Sequence, residues 1–85
     1  MSDRTTLDRK SKIREFIIQK LLNGRSVADD ENLLLSGLVD SLGVFDLVAF
    51  LEKTFELTIP LDEVVLEHFS SIDTISAYVA SKQAG

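Results

Sequence analysis

Two residues in this chain could do chemistry by type and setting, Ser41 and His68, and one run, Asp29-Asp30-Glu31, could in principle hold a cation. Ser41 follows Asp40 and opens the apolar stretch Leu-Gly-Val-Phe-Asp-Leu-Val-Ala-Phe-Leu, so its hydroxyl stands at the start of a helix. Asp and Ser are favoured there because their side-chain oxygens accept from backbone N–H groups that the first turn leaves unpaired, and on residue type alone the pair reads as a cap. An anion attached at Ser41 would meet those N–H groups and the positive end of the helix dipole. Nothing adjacent would activate the hydroxyl. No His or Lys flanks it, and Asp40 is a poor base for an alcohol at neutral pH. Activation must come from another protein, and the chain is not expected to be an enzyme.

His68 is the single histidine of a chain without cysteine, which leaves it short of a metal site. A Ser-His-Asp hydrolase would also need an oxyanion hole and a substrate cleft, which a helical chain of 85 residues scarcely provides. His68 is therefore read as a surface or half-buried side chain. The acidic run fails as an EF-hand, because counting from Asp29 the sixth and twelfth positions hold Leu34 and Asp40 where Gly and Glu are needed. No metal is expected.

Four elements must position these groups. A first helix is expected from Leu7 to Leu22, with Ile13, Phe16, Ile17 and Leu21 on one stripe and a weak capping arrangement of Thr5 with Asp8. Asn23-Gly24 stops it, since both tolerate the left-handed conformation. Residues 24–40 form a long connection pinned by Leu33, Leu35 and Leu38. In the stretch from Gly37 to Phe55 the first half reads as a loop and the second as the second helix, with Asp40 and Ser41 at the junction and Val44, Leu47, Val48, Leu51 and Phe55 on the face that wants a core. A neighbouring stripe, Leu42, Phe45 and Ala49, widens its apolar arc, and part of it should stay reachable from solvent. Residues 55–61 alternate like a strand, but Pro60 and the lack of a partner strand make them a loop anchored by Leu57, Ile59 and Leu61. Asp62 to Phe69 reads as a short third helix. Ser70 with Asp73 caps the last one, whose stripe is Ile72, Ile75, Tyr78 and Val79.

Composition bounds the rest. Eighty-five residues make one domain, and residues 1–6 and 83–85 read as flexible tails. With no cysteine, stability must come from packing. No run approaches the roughly 18 apolar residues of a membrane span, and the polar N-terminus lacks the apolar segment of a signal peptide, so a cytoplasmic protein without membrane insertion is expected. The net charge of −5 is uneven: residues 1–25 set seven cations against three carboxylates, and residues 26–85 set two against eleven. The basic end lacks the aromatic interleaving of a nucleic-acid surface, and no nucleic-acid partner is expected. The acidic part is better read as a field that steers basic partners.

Asp40-Ser41-Leu42-Gly43 opening an apolar helix, after an acidic, leucine-rich loop with Gly37, resembles the attachment site of acyl carrier proteins. The resemblance extends over nearly the whole chain, through Ile59-Pro60 to the Ser70-Ser71-Ile72 start of the last helix. It implies an all-α, small four-helix bundle of three principal helices, a short third helix and a long first loop. It implies a 4′-phosphopantetheine arm on Ser41, installed from coenzyme A by a phosphopantetheinyl transferase of the holo-synthase type. Acyl groups would ride on the arm as thioesters and be presented by a monomeric carrier to loading and processing enzymes, in lipid or secondary-metabolite synthesis. Partner recognition would fall on Asp40, Leu42, Phe45, Asp46, Ala49, Glu52 and Glu56. Gly43 departs from the fatty-acid-synthesis carriers, which usually have a carboxylate there, and the segment between Pro60 and Phe69 is longer. An aminoacyl, peptidyl or D-alanyl carrier is an alternative within the family. An unmodified helical adaptor, using the Leu42 stripe to bind a partner helix, is the alternative outside it.

Overall fold

The computed structural model describes the backbone of residues 2–84 and the side chains of residues 8–84. Helix α1 spans Ser2–Phe16 and continues through one wide turn, Ile17–Leu21. Helix α2 is Ser41–Phe55, a 3-10 turn follows at Leu61–Glu63, α3 is Leu66–Phe69, and α4 is Ile72–Ala84. Among the described residues there is no strand, and none of the helices is long and apolar enough to cross a membrane. The architecture is the small helical bundle expected.

Helix α1 begins at Ser2 rather than Leu7, since residues 2–6 include neither Gly nor Pro to interrupt the winding. Thr5 lies inside it by its backbone, so the arrangement with Asp8 does not mark the start; the side chain of Thr5 lies outside the described residues, as do Met1 and Gly85. At the other end the helix widens: the Leu22 N–H donates to the Ile17 carbonyl at 2.9 Å, five residues back. That sets Ile17 and Leu22, both buried, on the same side of the chain. Asn23 (φ 53°) and Gly24 (φ 88°) then reverse it, with the Gly24 N–H closing on the Ile18 carbonyl at 2.7 Å. The Asn-Gly stop falls where the sequence puts it.

The core is built from the expected stripes. Ile13 and Ile17 of α1, Leu47 and Leu51 of α2, and Ile72, Ile75, Tyr78 and Val79 of α4 are buried together. Phe16 stacks on Phe50 across α1 and α2 with ring centroids 4.2 Å apart, and Phe55 meets Phe50 edge-on at 6.5 Å. Such aromatic pairs add about 0.5–1.5 kcal/mol each beyond the area they bury.

The long connection is held by side chains that sequence reading only partly identified. Leu33 is buried and its N–H donates to the Ser70 carbonyl at 2.6 Å, while Leu38 is half-buried. Leu35 is not a pin: it is 77% exposed at the tip of a turn in which Asn32 Oδ1 accepts from the N–H groups of Leu34 and Leu35. Val39, buried, takes its place. The acidic run is structural in part, because the Arg14 guanidinium donates to both Asp29 oxygens, Nε at 3.0 Å and Nη2 at 2.7 Å. Lys10 Nζ pairs with one Asp73 oxygen at 2.7 Å. The Arg14 bonds hold the Asp29 carboxyl below its ordinary 3.8. The folded chain thus binds fewer protons at Asp29 than the unfolded one, so this contribution is complete above 3.8 and is lost as the pH falls below it.

Two further expectations need correction. Asp62 to Phe69 is not one helix: Val64 (φ −83°, ψ 78°) and Val65 (extended, φ −125°, ψ 160°) leave the helical region and interrupt it, as two successive β-branched residues favour. Leu61, expected as an anchor, is 73% exposed, and Ile59 and Leu57 carry that loop. The cap of α4 is Ser71, not Ser70. Ser71 Oγ accepts from the Thr74 N–H at 3.2 Å while Thr74 Oγ1 accepts from the Ser71 N–H at 3.0 Å, a reciprocal capping box.

Candidate functional site

Asp40 is the residue that caps α2. Its extended backbone (φ −100°, ψ −175°) turns its carboxylate onto the Gly43 N–H at 3.0 Å. Ser41 is thereby left as the first helical residue, exposed, and among the described residues nothing hydrogen-bonds its hydroxyl. The division of labour is clean: the carboxylate stabilises the helix and the hydroxyl is free.

Beside Ser41 lies an open, largely apolar cleft of about 470 Å³. Leu34 and Val39 from the long connection, with Val44 and Phe45 from α2, form part of its lining together with Asp40 and Ser41. Val64, Val65, Leu66 and Phe69 complete it. The second group was missed by the sequence reading, which treated residues 62–69 as one short helix. The signal was the consecutive apolar run Val64-Val65-Leu66, too dense for one helical stripe. A separate depression of about 290 Å³ over Phe16 and Phe50 shares no residue with this cleft.

The other candidate residues take different places. Leu42 (75% exposed) and Phe45 (54%) face solvent, and Asp46 and Ala49 are exposed with them. Glu52 is half-buried and engaged within the chain: its Oε2 accepts from the Ile59 N–H at 2.9 Å and fixes the loop after α2. Glu56 is exposed and ends α2 in the left-handed conformation (φ 53°), its N–H bonded to the Glu52 carbonyl. His68 lies against Tyr78, ring centroids 4.8 Å apart, and does not line the cleft. No group of three or more His, Cys, Asp or Glu among the described residues could hold a metal ion.

Gly43 has a steric reason. A Cβ added there would lie 2.9 Å from Val39 Cγ1, closer than real Cβ contacts come. A side chain at this position would force Val39, which lines the cleft, to shift. Gly43→Ala should therefore fail to deliver the roughly 0.8–1 kcal/mol that alanine gains over glycine inside a helix. In a Val39→Ala background the same change should recover that gain. Denaturant midpoints of the four proteins measure the coupling, and additive effects would mean that Val39 does not constrain position 43.

The family model for the phosphopantetheine attachment site matches residues 11–79. The chain belongs to this family. Curated relatives agree: the D-alanyl carrier proteins of Streptococcus suis strain 98HAH33 and Streptococcus mutans are 32% and 29% identical to it over 69 residues, covering 81% of this chain and 87% of each relative. The protein is a carrier of the acyl carrier type, and membership brings a covalently attached 4′-phosphopantetheine. The residues at the head of α2 fit that group: a free exposed hydroxyl on the first turn stands where a phosphodiester is favoured by unpaired N–H groups and the helix dipole.

Proposed function

We propose that this chain is an acyl carrier protein whose arm is attached at Ser41, and that it presents acyl groups held beside α2 to partner enzymes in the cytoplasm. The arm supplies the thiol that bears the cargo as a thioester; what the chain itself supplies is an address, a surface and a shelter. The observation that carries the reading is the largely apolar cleft opening at Ser41, whose Val, Leu and Phe side chains suit a hydrocarbon chain. Chemistry belongs to the partners, since no base stands at the Ser41 hydroxyl. A transferase would approach over Asp40, Leu42, Phe45, Asp46, Ala49 and Glu56. Glu52 contributes less than its position suggests, being occupied by the Ile59 N–H.

A second reading is favoured by the relatives, which are D-alanyl carriers: a small aminoacyl cargo that leaves the cleft unused. The two readings diverge in stability. A tethered octanoyl group that enters the cleft binds only the folded state and raises the denaturant midpoint in proportion to the apolar area it covers. A D-alanyl group should leave the midpoint at that of the holo form. A rise for octanoyl supports the acyl reading; equal midpoints for both loaded forms would overturn it.

Recognition is tested by salt. Single exposed ion pairs contribute only about 0.2–1 kcal/mol and are screened over about 8 Å at physiological ionic strength, so the carboxylates should act together on encounter rate. Raising salt should slow transfer to the unmutated protein more than to an Asp46→Asn, Glu56→Gln variant. Equal salt slopes would reduce both carboxylates to a solvated face.

A further inference from the structure

We propose that Tyr78, acting through Glu63, fixes the position of one wall of the Ser41 cleft and thereby sets the longest cargo the cleft accepts; this rests on the acyl reading above. The wall in question is Val64, Val65 and Leu66. Its own backbone ties it only to its neighbours in sequence. Among the described residues, the main-chain bonds of this stretch are local: Glu63 N–H to the Pro60 carbonyl, Val64 to Leu61, Val65 to Glu63, and the His68 and Phe69 N–H groups to the Val65 carbonyl. A segment with only local bonds opens at low cost, so its position depends on side chains.

Those side chains converge from α4. Tyr78 is 6% exposed and does not line the cleft. Its hydroxyl donates to Glu63 Oε1 at 2.6 Å, and Lys82 Nζ, one turn on, donates to the same oxygen at 3.2 Å. The Tyr78 ring lies against His68 at 4.8 Å and Phe69 at 5.4 Å between centroids. One residue therefore grips the 3-10 turn on one side of the wall and α3 on the other, with Val64 and Val65 strung between. A bond from a hydroxyl to a carboxylate is short, and a tyrosine whose ring is buried keeps a partner for its hydroxyl. Tyr78 is a positioning residue: it touches no cargo and acts by denying the wall room to retreat.

The test loads butyryl-, octanoyl- and dodecanoyl-4′-phosphopantetheine onto the full chain from the matching acyl-coenzyme A with a broad-specificity transferase, adenosine 3′,5′-bisphosphate leaving. Denaturant midpoints are compared with the apo form for the unmutated protein and for Tyr78→Phe, Glu63→Ala and Glu63→Gln. In the unmutated protein the gain should level off at an intermediate length. In Tyr78→Phe and Glu63→Ala, the levelling-off should shift to longer chains, beyond any drop in the apo midpoint. Glu63→Gln keeps an oxygen that accepts from Tyr78 and should restore the unmutated profile. A lower apo midpoint with the same length profile in every variant would make the contact merely structural and overturn the inference alone. No gain at any length in the unmutated protein would overturn the acyl reading and this inference together.

Discussion

Ser41→Ala should abolish the mass increase that the unmutated chain shows on incubation with coenzyme A, magnesium and a phosphopantetheinyl transferase, while leaving the protein as stable as before. The first half follows from the attachment proposed at Ser41. The second follows from the cap: the oxygen that holds the Gly43 N–H belongs to Asp40, so removing an exposed, unbonded hydroxyl should change stability by no more than about 0.5 kcal/mol. Asp40→Ala should instead cost about 0.5–2 kcal/mol. Intact-mass spectrometry and urea unfolding read the two effects separately. A mass gain that survives in Ser41→Ala would place the arm on another serine; an undiminished gain with a large stability loss would refute both halves.

The second large effect lies in α2 itself. Leu51 is fully buried in the core, and Leu51→Ala should lose about 2–5 kcal/mol as a truncation that leaves a cavity, a sizeable part of the roughly 5–15 kcal/mol that holds a small domain folded. Leu42, one helix face away and largely exposed, should behave oppositely: Leu42→Ala stays within about 0.5 kcal/mol but slows transfer to or from partners. Midpoints and transfer rates measured on both variants check the contrast. A large stability loss from Leu42→Ala with normal transfer would show that this stripe is core and not surface.

What could be read from sequence divides along a physical line. Helix α2 was legible because its signals are local: the Asp40-Ser41 junction, the apolar spacing from Val44 to Phe55, and a second stripe at Leu42, Phe45 and Ala49 that widens the apolar arc. The Asn23-Gly24 stop was legible for the same reason. Features set by distant partners were not. Glu52 looks like a free carboxylate until Ile59 is folded back onto it, and Asp29 looks like solvated charge until Arg14 faces it. Leu35 and Leu61 carry the same apolar signal as Leu33 and Ile59, yet they point outward. Ser70 and Ser71 are a different case: the signal is local, and Thr74, three residues after Ser71, decides between two adjacent serines. The candidate site was half legible: Ser41 and its helix were, but the far wall of the cleft depends on a break at Val64-Val65 that no period announces.

The separation of the cap from the hydroxyl at the head of α2 has a consequence for the life of the protein in a cell. Quality control by chaperones and proteases acts on the fraction of a protein that is transiently unfolded. Because Asp40, and not Ser41, holds the Gly43 N–H, a freshly made chain has the cap of α2 before any arm is attached. Folding of the carrier would then not wait on its loading: with coenzyme A short, unmodified protein would stay folded, ready for conversion when the cofactor returns.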